Sequence, residues 1–222
     1  MTGRTEGVFH KLSLAWERAW RPALPERVHM GDPAASQTLC RAVLSHLAVR
    51  FQERDRLSVV CVGTDRSTGD ALGPLVGSQL VRRPVPGVRV WGTLDEPVHA
   101  ANLRDVLERM RKEPAQARST IIAVDACLGR SESVGWISVK PGALRPGTGV
   151  NKDLPPVGDL HIMGVVNVGG FMEYFVLQNT RLSLVMRMAD VIAEGLRLAL
   201  EQWSAGREAA ASAWHARRSA QV

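Results

Sequence analysis

The feature that most constrains this chain is a pair of short, continuously apolar runs, LSVVCVG at 57–63 and TIIAV at 120–124. Runs of this length that are rich in Val and Ile and have no polar side are typical of strands buried on both faces of a sheet. Strands of this kind need helices above and below them. The sequence therefore predicts an α/β domain built around a central sheet.

The segments around these runs alternate between helical and extended patterns. Leucine and valine recur at helical spacing after Asp32-Pro33, for example at Leu39 and Val43. This alternation predicts a mostly parallel sheet whose strands end at one edge, because crossover connections are right-handed. The predicted helices are residues 33–52, 71–81, 99–112 and 181–203, and the predicted strands are residues 57–63, 88–92, 120–124, 134–139 and 161–168.

The length and apolar content indicate a single globular domain. The chain has 222 residues, of which 45% are hydrophobic. We place the domain at residues 33–204, with an N-terminal extension at 1–32 and a C-terminal tail at 205–222. The three cysteines are too few and too far apart for a disulfide framework, which indicates the cytoplasm.

The net charge of +6 raises the question of a nucleic-acid partner. The 28 basic and 22 acidic side chains are spread along the chain, and no helix-turn-helix or RNA-binding signature accompanies them. No window approaches the roughly 18 consecutive apolar residues of a membrane span. Charges at Lys11, Glu17 and Arg18 interrupt the N-terminal apolar stretch, so no signal peptide is expected. We expect no direct nucleic-acid partner and no membrane contact, and a homo-oligomer is left open.

Two aspartates are placed at the same edge of the predicted sheet. Asp125 directly follows the strand IIAV, and Asp70 lies beyond the strand that ends at Gly63. The crevice outside the carboxyl ends of the strands is the usual ligand site in open α/β sheets. Two carboxyls there could share a proton, bind a metal ion or orient water, and an acid–base pair is the simplest interpretation. The structural alternative is that Asp70 caps the next helix and Asp125 anchors a turn.

The loop GTDRSTGD at 63–70 does not fit a phosphate-binding loop. A Walker loop ends in Gly-Lys-Ser/Thr and a dinucleotide fingerprint needs three closely spaced glycines, whereas an acid follows the second glycine here. We predict that this loop contacts the substrate instead. The candidate substrate-binding residues are Thr64, Asp65, Arg66, Gly69 and His161.

His161 also raises a metal hypothesis. One imidazole and two carboxylates suit a divalent transition metal, and the candidate ligands are Asp70, Asp125 and His161. The chain has no tight ligand spacing such as His-Glu-x-x-His. No cofactor is therefore the expectation, and the metal is the open alternative. Cys127 has no adjacent base and is expected to be a buried or half-buried thiol.

Four segments closely resemble the YyaC family of sporulation proteins. They are CVGTDRSTGDALGPLVG at 61–77, GTLDEPVHAANL at 92–103, IIAVDACLGR at 121–130 and GDLHIMGVVNVGGFMEYFVLQNTRL at 158–182. That family is similar to the germination protease of bacterial spores and, more remotely, to hydrogenase maturation proteases. The resemblance implies a three-layer phosphorylase/hydrolase-like α/β fold with a mostly parallel central sheet flanked by helices.

The resemblance also implies roles for the aspartates. In the germination protease, an Asp in a loop ending Asp-Ala-Leu-Gly-Pro and an Asp at an Ile-Asp-Ala strand end form the proposed catalytic pair. The matching residues here are Asp70 and Asp125. In hydrogenase maturation proteases two acidic residues and a histidine bind nickel, and His161 is the candidate for that histidine.

The expected function is that of a spore-associated aspartic-type peptidase of the germination protease-like type, in the cytoplasm of the sporulating cell or in the spore. One aspartate would be ionised and activate water, while the other would be protonated and polarise the scissile carbonyl. The substrate would be a peptide or a protein, such as a spore protein. The alternatives are a non-catalytic peptide- or protein-binding sporulation factor and a metal-dependent maturation-type protease.

Overall fold

A six-stranded sheet lies at the centre of the residues that this computed structural model describes, which are 26–50, 56–113, 119–147 and 154–219. The strands are β1 Arg27–His29, β2 Leu57–Cys61, β3 Val88–Trp91, β4 Thr120–Gly129, β5 Trp136–Pro141 and β6 Leu160–Val168. Across the sheet they occur in the order β1-β5-β6-β4-β2-β3.

Five α-helices accompany the sheet within the same described ranges. They are α1 Ala35–Arg50, α2 Leu72–Val81, α3 Leu103–Lys112, α4 Glu173–Gln178 and α5 Leu182–Ser219. Although α5 has 38 residues, none of the helices described is both long and apolar enough to span a membrane.

Five of the six strands described run in the same direction. β2 pairs in parallel with β3 and β4, and β4 pairs in parallel with β6. β5 is antiparallel to both of its neighbours, β6 and β1. The predicted architecture, a mostly parallel sheet flanked by helices, is confirmed.

Several elements differ from their predicted bounds. The sequence does not predict β1, because three residues are too few to show a period of two. β1 falls within the predicted extension 1–32, of which residues 1–25 lie outside the described residues. The helix predicted from 99 begins only at Leu103, since the Asn102 side chain accepts a hydrogen bond from the His99 amide (2.8 Å) and stabilises a turn. The short helix α4 is also not predicted.

An apolar layer lies on each face of the sheet. On the first face, α1, α2 and α5 pack against the strands, and on the second face α3 packs against β2 and β4. Residues buried in the first layer include Leu39, Leu72, Met188, Ile192 and Ile162, and those in the second layer include Val60, Leu103, Val106, Met110 and Ala123.

The two crossovers create a switch point in the strand order. After β2 the chain crosses the first face through α2 and enters β3 on one side of β2. It then crosses the second face through α3 and enters β4 on the other side of β2. Such a reversal opens a crevice at the carboxyl ends of β2 and β4. The loop that follows β2 borders this crevice.

Helix α2 lies very close to the strand ends beneath it. A Cβ atom at Gly73 would collide with the carbonyl oxygen of Val62, and one at Gly77 would collide with the carbonyl oxygen of Gly92. Only glycine permits this contact of backbone against backbone. The two glycines therefore set the position of α2 and of the loop that precedes it.

We expect Gly73→Ala to lower the free energy of unfolding by about 2 kcal/mol or more, because the added methyl group forces two packed backbones apart. Urea denaturation followed by circular dichroism measures the change. The control in the same helix is Val81→Ala, whose side chain is 46% exposed and whose loss should change the free energy by less than about 0.5 kcal/mol. Equal stability of the two variants would show that α2 can shift away from the strands.

Candidate active site

Asp125 lies where β4 continues past its neighbour β2. The last residue of β2, Cys61, pairs with Val124, so Asp125 borders the crevice. It is half-buried, and its Oδ1 accepts a hydrogen bond from the Ala126 amide (2.8 Å). The prediction that Asp125 follows the strand is wrong. Asp125 lies within β4, because β4 pairs with β6 as far as Gly129. Asp125 nevertheless lies beside the carboxyl end of β2, where the predicted crevice opens.

Asp70 reaches the crevice from the loop between β2 and α2. The Thr64 amide donates a hydrogen bond to the Asp70 carbonyl oxygen (3.2 Å). Gly63, with φ of +145°, allows that carbonyl to lie against it. The N-cap residue of α2 is Ala71, which makes no side-chain capping bond. Asp70 is therefore not the N-cap residue, and the structural alternative for Asp70 is not supported.

The pKa of Asp125 is strongly perturbed. Burial raises it to about 8, the hydrogen bond from Ala126 opposes the rise, and the negative charge of Asp70 adds to it. The two carboxyls thus interact electrostatically. At neutral pH Asp125 holds its proton.

Burial also raises the pKa of Asp70, while the nearby Ser67 hydroxyl favours the ionised form. Ser67 is buried, and its Oγ has no hydrogen-bond partner of good geometry among the described residues. Unpaired buried hydroxyls are uncommon in proteins, and some of them have a catalytic role. No sequence signal singles out Ser67, because its proximity to Asp70 depends on how the loop folds.

Two interacting carboxyls of this kind hold one proton between them at neutral pH. Asp125, whose pKa reaches about 8, is the partner that stays protonated, and Asp70 is the partner that ionises. The pair therefore combines an acid with a base that interacts with it electrostatically. An acid and a base of this kind can together catalyse the attack of water on an unactivated bond.

The loop between β2 and α2 presents its predicted substrate-binding residues to different degrees. Asp65 and Arg66 are exposed, and Thr64 is half-buried. The Thr64 hydroxyl donates to Asp65 Oδ1 (3.4 Å) and accepts a hydrogen bond from the Arg66 amide (3.3 Å). Gly69 is buried, and its amide donates to the Leu177 carbonyl oxygen (2.9 Å). The loop is anchored at Gly69 and accessible at Asp65 and Arg66.

Exposed apolar side chains border the site next to Gly69. They lie in and just before α4, and the most exposed are Phe171 (81%) and Tyr174 (63%). Met172 has a left-handed φ of 48°, which is rare outside glycine and is often associated with functional sites. None of the predicted site residues belongs to this rim, although the run GGFMEYF at 169–175 carries a signal for it, a mostly apolar stretch after two glycines.

His161 lies away from the aspartate pair. It is paired with Ala123, two residues before Asp125 and thus about 7 Å away along the strand. Its Nδ1 is 2.9 Å from the Gly142 carbonyl oxygen. Within the described part of the chain, no three His, Cys, Asp or Glu side chains are grouped so that they could hold a metal ion. The geometry does not fit the three-ligand metal set, and we assign no chemistry to a metal.

Cys127 lies on the same face of β4 as Asp125 and is half-buried. Burial and the Asp125 charge raise its pKa to about 11, while the positive charges of Arg27 and Lys140 oppose the rise. The thiol is therefore protonated at neutral pH. A half-buried, unreactive thiol is what the sequence predicts.

Comparison with known proteins identifies the family. Residues 27–195 match the family described as "Protein of unknown function (DUF1256)". The chain belongs to this family. It is also 61% identical over 167 residues to the "Uncharacterized protein YyaC" of Bacillus subtilis (strain 168), a match that covers 75% of this chain and 80% of that protein. The resemblance to the YyaC family is confirmed, and neither description assigns an activity.

Two solved structures match this DUF1256 member at low sequence identity. The NiFe hydrogenase maturation protease HycI from Thermococcus kodakarensis KOD1 is 17% identical with a TM-score of 0.46, and the match covers 68% of this chain and 96% of that chain. The hydrogenase maturating endopeptidase HybD from E. coli is 18% identical with a TM-score of 0.42, covering 66% and 93%. Sequence identities and TM-scores this low do not assign the activity of either protease to this chain.

Replacing Asp125 by Asn should stabilise the protein increasingly as the pH rises. The folded-state pKa of about 8 exceeds the ordinary value of Asp, so unfolding releases a proton and wild-type stability falls between about pH 4 and pH 8. Asn has no proton to release. The stability gained by Asp125→Asn should grow by about 4 kcal/mol between about pH 5 and pH 8 in urea denaturation.

The matched control is Asp190→Asn. Asp190 is exposed on α5, and Asn keeps the oxygen that accepts the hydrogen bond from Gln79 (2.8 Å). Its unfolding free energy should follow the wild-type curve at every pH. A constant difference between Asp125→Asn and wild type would contradict a buried, protonated Asp125.

Proposed function

We propose that this protein is an aspartic-type peptidase that hydrolyses a peptide bond with Asp70 and Asp125. One observation carries the proposal: at the switch point of the sheet, the Asp70 charge adds to the burial that raises the pKa of Asp125 to about 8. An aspartic dyad requires a carboxylic acid that stays protonated beside a second carboxyl. The proposed reaction needs no cofactor.

The roles of the two carboxyls follow from their protonation states. Asp125 donates a hydrogen bond to the scissile carbonyl oxygen and polarises it, while Asp70 accepts a proton from water as the water oxygen bonds to the carbonyl carbon. The carbon–nitrogen bond of the tetrahedral intermediate then breaks, and the proton on Asp70 passes to the leaving nitrogen. Asp125 ends with its proton, so one water is consumed and the dyad is restored.

The substrate-binding residues border the dyad at the carboxyl edge. Thr64, Asp65, Arg66 and Gly69 lie in the loop that carries Asp70, and we assign them to the substrate next to the scissile bond. His161 lies on the same face of the sheet as Asp125 but further from the edge, because it is paired with Ala123. We therefore assign it to a more distant part of the same substrate.

The sequence resemblance supports the same chemistry and adds a biological setting. Asp70 and Asp125 stand at the positions of the proposed catalytic pair of the germination protease. On this basis we propose that the protein acts in the cytoplasm of the sporulating cell or in the spore. A spore protein is the proposed substrate.

Wild-type protein should cleave peptides, and Asp70→Asn and Asp125→Asn should each lower kcat/KM by about a thousandfold or more, because each removes one of the two proton-transfer groups. The probe is a degenerate library of internally quenched fluorescent peptides, with the fragments identified by mass spectrometry. Asp190→Asn, outside the site, should stay within about twofold of wild type.

Two results of this assay would contradict the proposal. One is equal turnover by wild type and both dyad variants. The other is peptide binding by wild type without any turnover, which would instead indicate a non-catalytic peptide-binding factor.

The pH dependence of kcat/KM should be bell-shaped. Activity falls on the alkaline side as Asp125, with its pKa of about 8, loses its proton, and on the acidic side as Asp70 gains one. Ser67→Ala removes the hydroxyl that favours ionised Asp70, so the acidic limb should move to higher pH while the alkaline limb stays in place. Ser131→Ala, an exposed site, is the control. A profile without an alkaline limb would contradict Asp125 as the acid.

A further inference from the structure

In the part of the chain that the structure describes, the second face of the sheet is most accessible over β1 and β5. α1, α2 and α5 pack on the first face. On the second face α3 packs against β2 and β4, and buried Leu144 and Val157 belong to the same apolar layer, against which Met163 of β6 packs. Along β5 and β6 alternate residues are buried in the first layer, while those between them are half-buried or exposed. We name this surface the open face and define it by Arg27, His29, Trp136, Lys140, His161 and Met163.

The open face leads directly to Asp125. The strand register places Arg27 opposite Ser138, Ser138 opposite Met163, and Met163 opposite Asp125. The four residues form one row across adjacent strands, which are spaced about 4.8 Å apart. The row is therefore about 14 Å long, the span of about four residues of an extended peptide.

Two cations give the open face its charge. Arg27 and Lys140 are both exposed, and their fields extend to β4, where they act on the Cys127 thiol. Among the described residues, neither cation forms an ion pair with a carboxylate. Asp125 does not neutralise them at neutral pH, because it holds its proton. The surface is thus complementary to an anion.

Aromatic contacts hold the Arg27 guanidinium in position. It lies 5.0 Å from the centroid of the Trp136 ring, and the His29 ring packs edge-on against the same indole with a centroid separation of 5.6 Å. A guanidinium stacked on an aromatic ring still presents the N–H groups along its edge, which match a carboxylate. Arg27 is therefore placed to bind a carboxylate without first being ordered.

We propose that the open face binds the substrate chain on one side of the scissile bond and selects a carboxylate within about four residues of that bond. The inference rests on the proposed peptidase function and adds a substrate class to it, acidic peptides. Arg27 and Lys140 bind the carboxylate, and Trp136 and Met163 contact apolar side chains of the same peptide. The carboxylate belongs either to an Asp or Glu side chain or to the C terminus of the substrate.

Peptide binding to the full-length Asp125→Asn protein, which leaves the probes uncut, tests the inference. The probes are fluorescein-labelled pools of otherwise neutral peptides with amidated C termini, one with a single Glu and the other with Gln in its place. We expect the Glu pool to bind about fivefold or more tightly in fluorescence anisotropy, with a preference that weakens as salt is added. A third pool, with Gln and free C termini, tests whether the bound group is a C-terminal carboxylate. If it is, this pool binds more tightly than the Gln pool with amidated C termini.

Variants assign the preference to the open face. In the same background, Arg27→Gln with Lys140→Gln should bind all pools equally. Arg111→Gln, which removes an exposed cation from α3, is the control and should keep the preference. Charge reversal by Arg27→Glu should shift the preference towards a pool with a single Lys, an outcome that a merely structural role would not produce.

Three results of the binding assay would overturn the inference. The first is equal binding of all pools by the parent protein, and the second is a preference for the Glu pool that persists in the double variant. The third is displacement of the Glu pool by a single-stranded oligonucleotide that binds more tightly. That third result would identify nucleic acid as the ligand. Cleavage by wild type without a preference for carboxylates would overturn this inference and leave the proposed function intact. A binding preference that depends on Arg27 and Lys140, in a protein that cleaves no peptide, would support carboxylate binding at the open face and overturn the proposed function.

Discussion

The geometry of the candidate site depends on the backbone contact between α2 and the strand ends beneath it. Gly73 and Gly77 bring the helix so close to these strands that no side chain fits between them. The loop that precedes α2 is fixed at the same time, with Gly63 against the Asp70 carbonyl oxygen. Because the interaction between two charges weakens with distance, a displaced α2 would weaken the coupling of Asp70 with Asp125.

The electrostatics of the pair support the proposed chemistry and oppose stability. Burial and the Asp70 charge raise the pKa of Asp125 to about 8, so the folded protein binds a proton that the unfolded chain releases at neutral pH. A surface aspartate would have no such effect. Groups with strongly shifted pKa values are concentrated at functional sites, where stability is lower than it could be. The buried hydroxyl of Ser67, which favours the ionised form of Asp70, fits the same interpretation.

The sheet divides into a closed half and an open half. Parallel strands β2 and β4 are covered on both faces, as continuously apolar strands require. Antiparallel β5 follows the alternating pattern WISVK, with Ile137 and Val139 buried and Trp136 and Lys140 on the other face. Antiparallel strands tolerate solvent on one side. The closed half positions the two aspartates, and the open half extends from them as an accessible surface.

The sequence by itself determined the parallel core and the two aspartates. Continuously apolar strands must be buried on both faces, and residues that follow such strands must lie at the carboxyl edge, so local pattern places Asp70 and Asp125 together. Only the tertiary structure decided that β1 joins the sheet, that β5 is antiparallel, that Ser67 lies beside Asp70 and that Arg27 shares a row with Asp125. These features arise from pairing between residues far apart in the chain, and the proton on Asp125 arises from the burial that this pairing creates. Long-range pairing and burial leave no periodic signal in the sequence. Hydrophobic patterns report only on residues within a few positions of one another.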